Sequence, residues 1–132
     1  FPPATVIGVA TRPERVISIE NLTTFHTEAK RLYDEPVLLL YTAGMPSPAW
    51  RAMYGRLLAS IPAEVPVFHW GDFDEGGFRI AAVLAGEARQ VGRQLRPWRM
   101  HPEDIPEEMR VEASARTIDR MQHFARQAGW ES

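Results

Sequence analysis

"RVISIENLTTFHTEAKRLYDEPVLLLY", residues 15–41, sets two short apolar runs on either side of a helical pattern. RVISI (15–19) is a short β-branched run with Val16, Ile17 and Ile19, and VLLLY (37–41) is apolar throughout. Each therefore reads as a strand buried on both faces. Between them Leu22, Phe25, Ala29, Leu32 and Tyr33 share one helical face, and Asn21 or Thr23 can cap its start. Pro36 breaks the helix. Strand, helix and strand in this order imply parallel pairing through a right-handed crossover.

The same alternation continues downstream. TAGMPSP (42–48) is turn chemistry, and AWRAMYGRLLAS (49–60) carries Trp50, Met53, Tyr54, Leu57 and Leu58 at helical spacing. VPVFHW (65–70) is a third strand, with Pro66 confined to its entry. GGFRIAAVLAGEARQVGRQL (76–95) predicts a third helix, and RPWRM (96–100) a short fourth strand. HPEDIPEEM (101–109) is a polar loop, followed by a helix with Val111, Ala115, Ile118, Met121 and Ala125 on one stripe. Upstream, residues 1–14 read as an incoming strand or linker, leaving one α/β domain over 15–132. The expected architecture is a mainly parallel four-stranded sheet with helices on both faces. A chain starting at Phe1 is expected to be the C-terminal part of a larger protein.

Composition narrows the function. The 132 residues are 45% hydrophobic, enough for one domain with a real core. No apolar run reaches the length of a membrane span, and no signal-peptide pattern opens the chain. Cysteine is absent, which excludes disulfide and thiolate chemistry and favours the cytoplasm. The net charge of −2 advertises neither nucleic acid nor membrane. Lys30 is the sole lysine among fifteen basic residues. Arg89, Arg93, Arg96 and Arg99 follow one another with no acid between, as a phosphate-facing strip or a solvated helix face.

Chemistry concentrates where strands end. In open parallel sheets ligands bind beyond the carboxyl ends of the strands, where strand order reverses. The first strand ends in Glu20, and the third ends in HWGDFDEGGFRI (69–80). If the strands lie in the order 2-1-3-4, Glu20 faces Asp72 and Asp74 across one crevice. Three carboxylates there repel one another and raise pKa values unless a cation intervenes. Oxygen-only donors suit Mg2+ or Mn2+ rather than zinc, and such a site fits phosphodiester chemistry. Gly76 and Gly77 would admit a phosphate to the third helix's N-terminus, with Arg79 turning back toward it. Gly44 and Ser47 offer further backbone contacts at the same sheet edge. Glu75 reads as a solvated first-turn acid and His69 as a structural histidine or a group orienting a carboxylate or phosphate. Trp50 and Trp98 read as packing anchors, and Tyr33, Tyr41 and Tyr54 as core. An EF-hand loop fails because its twelfth position is Val83, and a haloacid-dehalogenase site fails because no lysine follows Asp72.

Glutamate after the first strand, then Asp-x-Asp and glycine after the third, resembles the toprim family of topoisomerases, primases and nucleases. VISIENLTTFH (16–26), YTAGMPS (41–47) and HWGDFDEGGFRI together resemble more closely the C-terminal domain of the JetD family. Those proteins are the nuclease subunits of prokaryotic Wadjet plasmid-defence systems, similar in architecture to the type IIB topoisomerase A subunit. LRPWRM (95–100) extends the likeness. The resemblance implies a Rossmann-like toprim fold and Mg2+- or Mn2+-dependent cleavage of DNA. Asp72 and Asp74 would hold metal, with Glu20 a further ligand or the general acid/base. It also implies SMC-like partner subunits, N-terminal domains of the same parent protein, and a possible homodimer. The alternative is a non-catalytic metal- or phosphate-binding module.

Overall fold

The computed structural model describes residues 6–7, 13–99 and 115–130. Its elements are β1 (Val6–Ile7), β2 (Arg15–Ile19), α1 (Leu22–Arg31), β3 (Val37–Tyr41), α2 (Pro48–Ser60), β4 (Val67–Trp70), α3 (Glu75–Gln90), β5 (Leu95–Pro97) and α4 (Ala115–Gln127). The sheet order is β1-β3-β2-β4-β5. Strands β2 to β5 are mutually parallel, and β1 pairs antiparallel with β3 at the edge. The four parallel strands therefore follow the expected 2-1-3-4 order. Ser18 lies opposite His69, and Ile19 opposite Trp70.

The chain steps from β2 to β3 in one direction, then back across β2 to β4 and on to β5. Right-handed crossovers then place α1 on one face of the sheet, and α2 and α3 on the other. The two cores follow that division. Phe25 of α1 and Leu32 just after it pack with Ile17, Ile19, Val37 and Leu39. Tyr54, Leu58, Phe78, Leu84 and Met121 from α2, α3 and α4 pack with Val16, Leu40, Val67 and Leu95. Each large side chain buried there contributes about 1.5–3 kcal/mol. Trp130 locks the chain after α4 to the sheet by donating Nε1–H to Leu95 O at 2.9 Å.

Several sequence expectations need correction. Tyr33 is 83% exposed rather than core, because α1 ends at Arg31 and Leu32 already leaves helical geometry. Leu22 is likewise half exposed, whereas Tyr54 is fully buried. Helix α3 stops at Gln90, and Gly92 at φ 73° turns the chain before β5. Strand β5 starts at Leu95 and stops at Pro97, before Trp98 and Arg99. The loop 101–109, Met100 and Val111 lie outside the described residues.

The arginine strip dissolves into separate roles. Arg93 is buried, and its guanidinium donates to four carbonyls at 2.7–3.1 Å: Leu58, Ile61, Pro62 and Val65. It closes the α2–β4 connection and does not face phosphate. Arg89 donates to Gln127 O at 2.6 Å, tying α3 to α4, and Arg99 stacks on Trp70 at 5.1 Å. Arg96 remains exposed. No helix among the described residues is long and apolar enough to cross a membrane.

Candidate functional site

At the switch point between β2 and β4, Glu20 meets the turn that carries Asp72 and Asp74. Glu20 extends the ladder one step, its N–H donating to Trp70 O at 3.1 Å. Its Oε1 then accepts the Asp72 N–H at 3.0 Å. A side chain at the end of one strand thus holds the turn that follows its neighbour. Inside that turn Asp74 N donates to Asp72 O at 2.9 Å. Asp74 is extended and caps α3, its Oδ1 accepting Gly77 N–H at 2.7 Å. Phe73 packs edge-on against Phe78 with centroids 5.3 Å apart, anchoring the turn to the core.

Two glycines make this crossing possible. A Cβ on Gly77 would run into the Asp72 peptide, so the helix start could not lie so close beneath the turn. A Cβ on Gly71 would meet His69 Nε2 at 2.9 Å and Glu20 Oε1 at 3.0 Å. Gly77 therefore directs its N–H to Asp74 and its missing side chain to Asp72. Gly76 and Arg79 are exposed in the opening turns of α3.

The electrostatics match the crowding. Burial raises the Glu20 pKa above 4.5, and the charges of Asp72 and Asp74 push the same way. The Asp72 N–H opposes them by stabilising the carboxylate. Asp72 and Asp74 are exposed, and Glu20 is half-buried. Among the described residues no three His, Cys, Asp or Glu side chains stand pre-arranged as a metal-ligand group. The donor set still fits a hard cation, which commonly takes one or two carboxylates and completes its shell with water and phosphate.

Surrounding residues sort into simpler roles. Asn21 caps α1 by accepting Thr24 N–H at 3.0 Å, and Ser47 caps α2 by accepting Trp50 N–H at 3.1 Å. Glu75 pairs with Arg120 at 3.3 Å. Trp50 stacks on Tyr54 and donates Nε1–H to Tyr41 O at 3.2 Å. Thr42 N–H donates to Ile19 O at 3.0 Å, which seats the 42–47 loop beside the end of β2. Ala43 in that loop takes φ 61°, a conformation uncommon outside glycine.

Sequence reasoning passed over Ser18, whose signal was a lone hydroxyl inside an apolar strand. Ser18 is fully buried, with Oγ 2.7 Å from His69 Nδ1. Burial pushes His69 down to about 3, a Ser18 main-chain contact opposing it, so the ring is neutral. His69 Nε2 is buried with no hydrogen-bond partner among the described residues. Burial likewise pushes the Tyr54 phenol up, opposed by neighbouring Ser18 and Arg93.

Comparison with known proteins adds three findings. A family model described as "Protein of unknown function C-terminus (DUF2399)" matches residues 5–132. Wadjet protein JetD of Bacillus cereus (strain Q1) is 36% identical over 70 residues, covering 51% of this chain. The matched stretch is 16% of that relative's length. No solved structure matches the chain significantly.

Proposed function

The chain belongs to the DUF2399 C-terminal family, and from that membership and the joined carboxylates we propose that it is the metal-dependent catalytic domain of a DNA-cleaving nuclease. The observation that carries the proposal is the Glu20 Oε1 to Asp72 N–H bond at the β2–β4 switch point. It draws Glu20 to the Asp-x-Asp turn, as a toprim-type site requires. The likeness to Wadjet protein JetD supports a role within a Wadjet-type plasmid-defence assembly. Its partners there would be DNA, SMC-like subunits and the other domains of its own parent protein.

Mg2+ or Mn2+ held by Asp72 and Asp74, with Glu20 a further ligand or the general acid/base, would supply charge neutralisation at a phosphodiester and orient its oxygens. The residues do the rest. Asp72 and Asp74 present exposed carboxylates from a turn fixed by Gly77 and Phe73. Glu20 is the group suited to hold or deliver a proton, because burial and like charges raise its pKa. Gly76 and Arg79 line the approach of the DNA backbone at the positive end of α3.

The test is nicking of supercoiled plasmid by the full-length parent protein in Mg2+ or Mn2+. Asp72→Asn is expected to lower the rate by more than the roughly 10–100-fold typical of losing an outer-sphere partner. An unchanged rate would refute the enzymatic assignment. Metal binding lost with Asp72→Asn, in a parent that never nicks DNA, would assign the domain to a non-catalytic module.

A further inference from the structure

We propose that His69 is a positioning residue for Glu20, acting from beneath the sheet edge through its Nε2–H. This rests on Glu20 belonging to the functional site proposed above. Two observations carry it. The imidazole is fully buried, yet only Nδ1 has a hydrogen-bond partner among the described residues. The unpartnered Nε2 and Glu20 Oε1 are neighbours across Gly71, 2.9 and 3.0 Å from the point where its Cβ would stand. Glycine at position 71 leaves no side chain between the two groups.

The hydrogen positions follow from the neighbours. Ser18 Oγ has one proton and two acceptors in reach, His69 Nδ1 at 2.7 Å and Phe68 O at 3.2 Å. We assign that proton to the shorter contact, with Nδ1 as acceptor and Nε2 carrying the ring proton; the opposite tautomer, with Ser18 Oγ–H donating to Phe68 O, is the one the nitrogen-15 shifts below would reveal. The assigned tautomer turns an N–H, not a lone pair, toward a carboxylate, which is the favourable polarity. That N–H would give Glu20 a second donor beside Asp72 N–H. A buried donor without a partner is unfavourable, and a contact with Glu20 would relieve it. The β2–β4 register supplies the geometry, since Ser18 and His69 are direct cross-strand partners.

Two substitutions separate positioning from packing. Glutamine at 69 can place an amide N–H near the Nε2 position, whereas asparagine reaches only as far as Nδ1. Mn2+ affinity of the full chain, measured by electron paramagnetic resonance, is expected to fall about tenfold or more in His69→Asn. In His69→Gln it should stay within about threefold of the parent. Equal affinity in His69→Asn and the parent would overturn the proposal, and so would equal losses in both variants. Nitrogen-15 shifts of the His69 ring give a metal-free check. Protonated-type Nε2 and lone-pair-type Nδ1 are expected, and the reverse tautomer overturns the assignment. If the parent binds no Mn2+ but shows the expected tautomer, with an Nε2 shift that moves in Glu20→Ala, the metal reading fails while the contact stands. An Nε2 shift unmoved by Glu20→Ala refutes the contact itself.

Discussion

Asp74 has two duties that one pair of substitutions separates. Its Oδ1 caps α3 through Gly77 N–H, while its carboxylate charge belongs to the acidic site. Asparagine retains the cap and alanine does not. Thermal or denaturant unfolding should show Asp74→Ala losing about 1 kcal/mol and Asp74→Asn almost nothing. Mn2+ titration should show both variants losing affinity. Glu20 supplies a pH signature. Its folded pKa lies above the unfolded value, so the unfolded state ionises it more readily. The stability it favours is complete at pH values below about 4.5 and is lost as pH rises through the higher folded value. Glu20→Gln still offers an acceptor to Asp72 N–H without the charge. In metal-free protein it should therefore raise stability at pH 7, and the gain should vanish in acid. A gain independent of pH would contradict this assignment.

The elements show why a glycine and an arginine matter out of proportion to their size. Gly77→Ala forces a carbon into the Asp72 peptide, so the turn or the first turn of α3 must move. Denaturant unfolding should register a loss of at least about 2 kcal/mol, typical of an overpacked buried position. Arg93→Ala removes one cation from four carbonyls of the α2–β4 connection. Hydrogen bonds from charged groups are worth about 1.5–3 kcal/mol each in isolation, and here they share one group. The expected loss is about 3 kcal/mol in stability, with no change in the salt dependence of DNA binding. That Arg93 was unreadable as structural has a plain cause. Its partners lie some thirty residues earlier, and only the packing of α3 against α2 brings them together. Tyr33 misled because helical phase was carried two residues past the true end of α1. The paired strands RVISI and VLLLY, by contrast, were legible because burial on both faces leaves short runs that are β-branched or apolar, broken only by Ser18 after Arg15.

For the whole molecule, topology makes the site. Reversal of strand order at β2 makes the β2–β4 boundary the switch point, and both predicted acidic segments follow the strands that flank it. Asp-x-Asp and Glu20 could be proposed as partners from the sequence because strand order is one of few allowed choices. The Ser18–His69 contact could not, since it depends on register at single-residue precision. The family match across 5–132 spans both acidic segments. Coupling of metal to fold follows from mass action: Mn2+ at 100 times its Kd should stabilise the chain by about 2.7 kcal/mol, and not the Asp72→Asn variant. The most direct measurement is anomalous diffraction at the manganese edge from crystals grown with millimolar Mn2+. A single peak bridging Asp72 and Asp74, with Glu20 in its first or second shell, is the predicted result. No peak at that turn, or one held by other residues, would contradict a shared cation at the β2–β4 switch point.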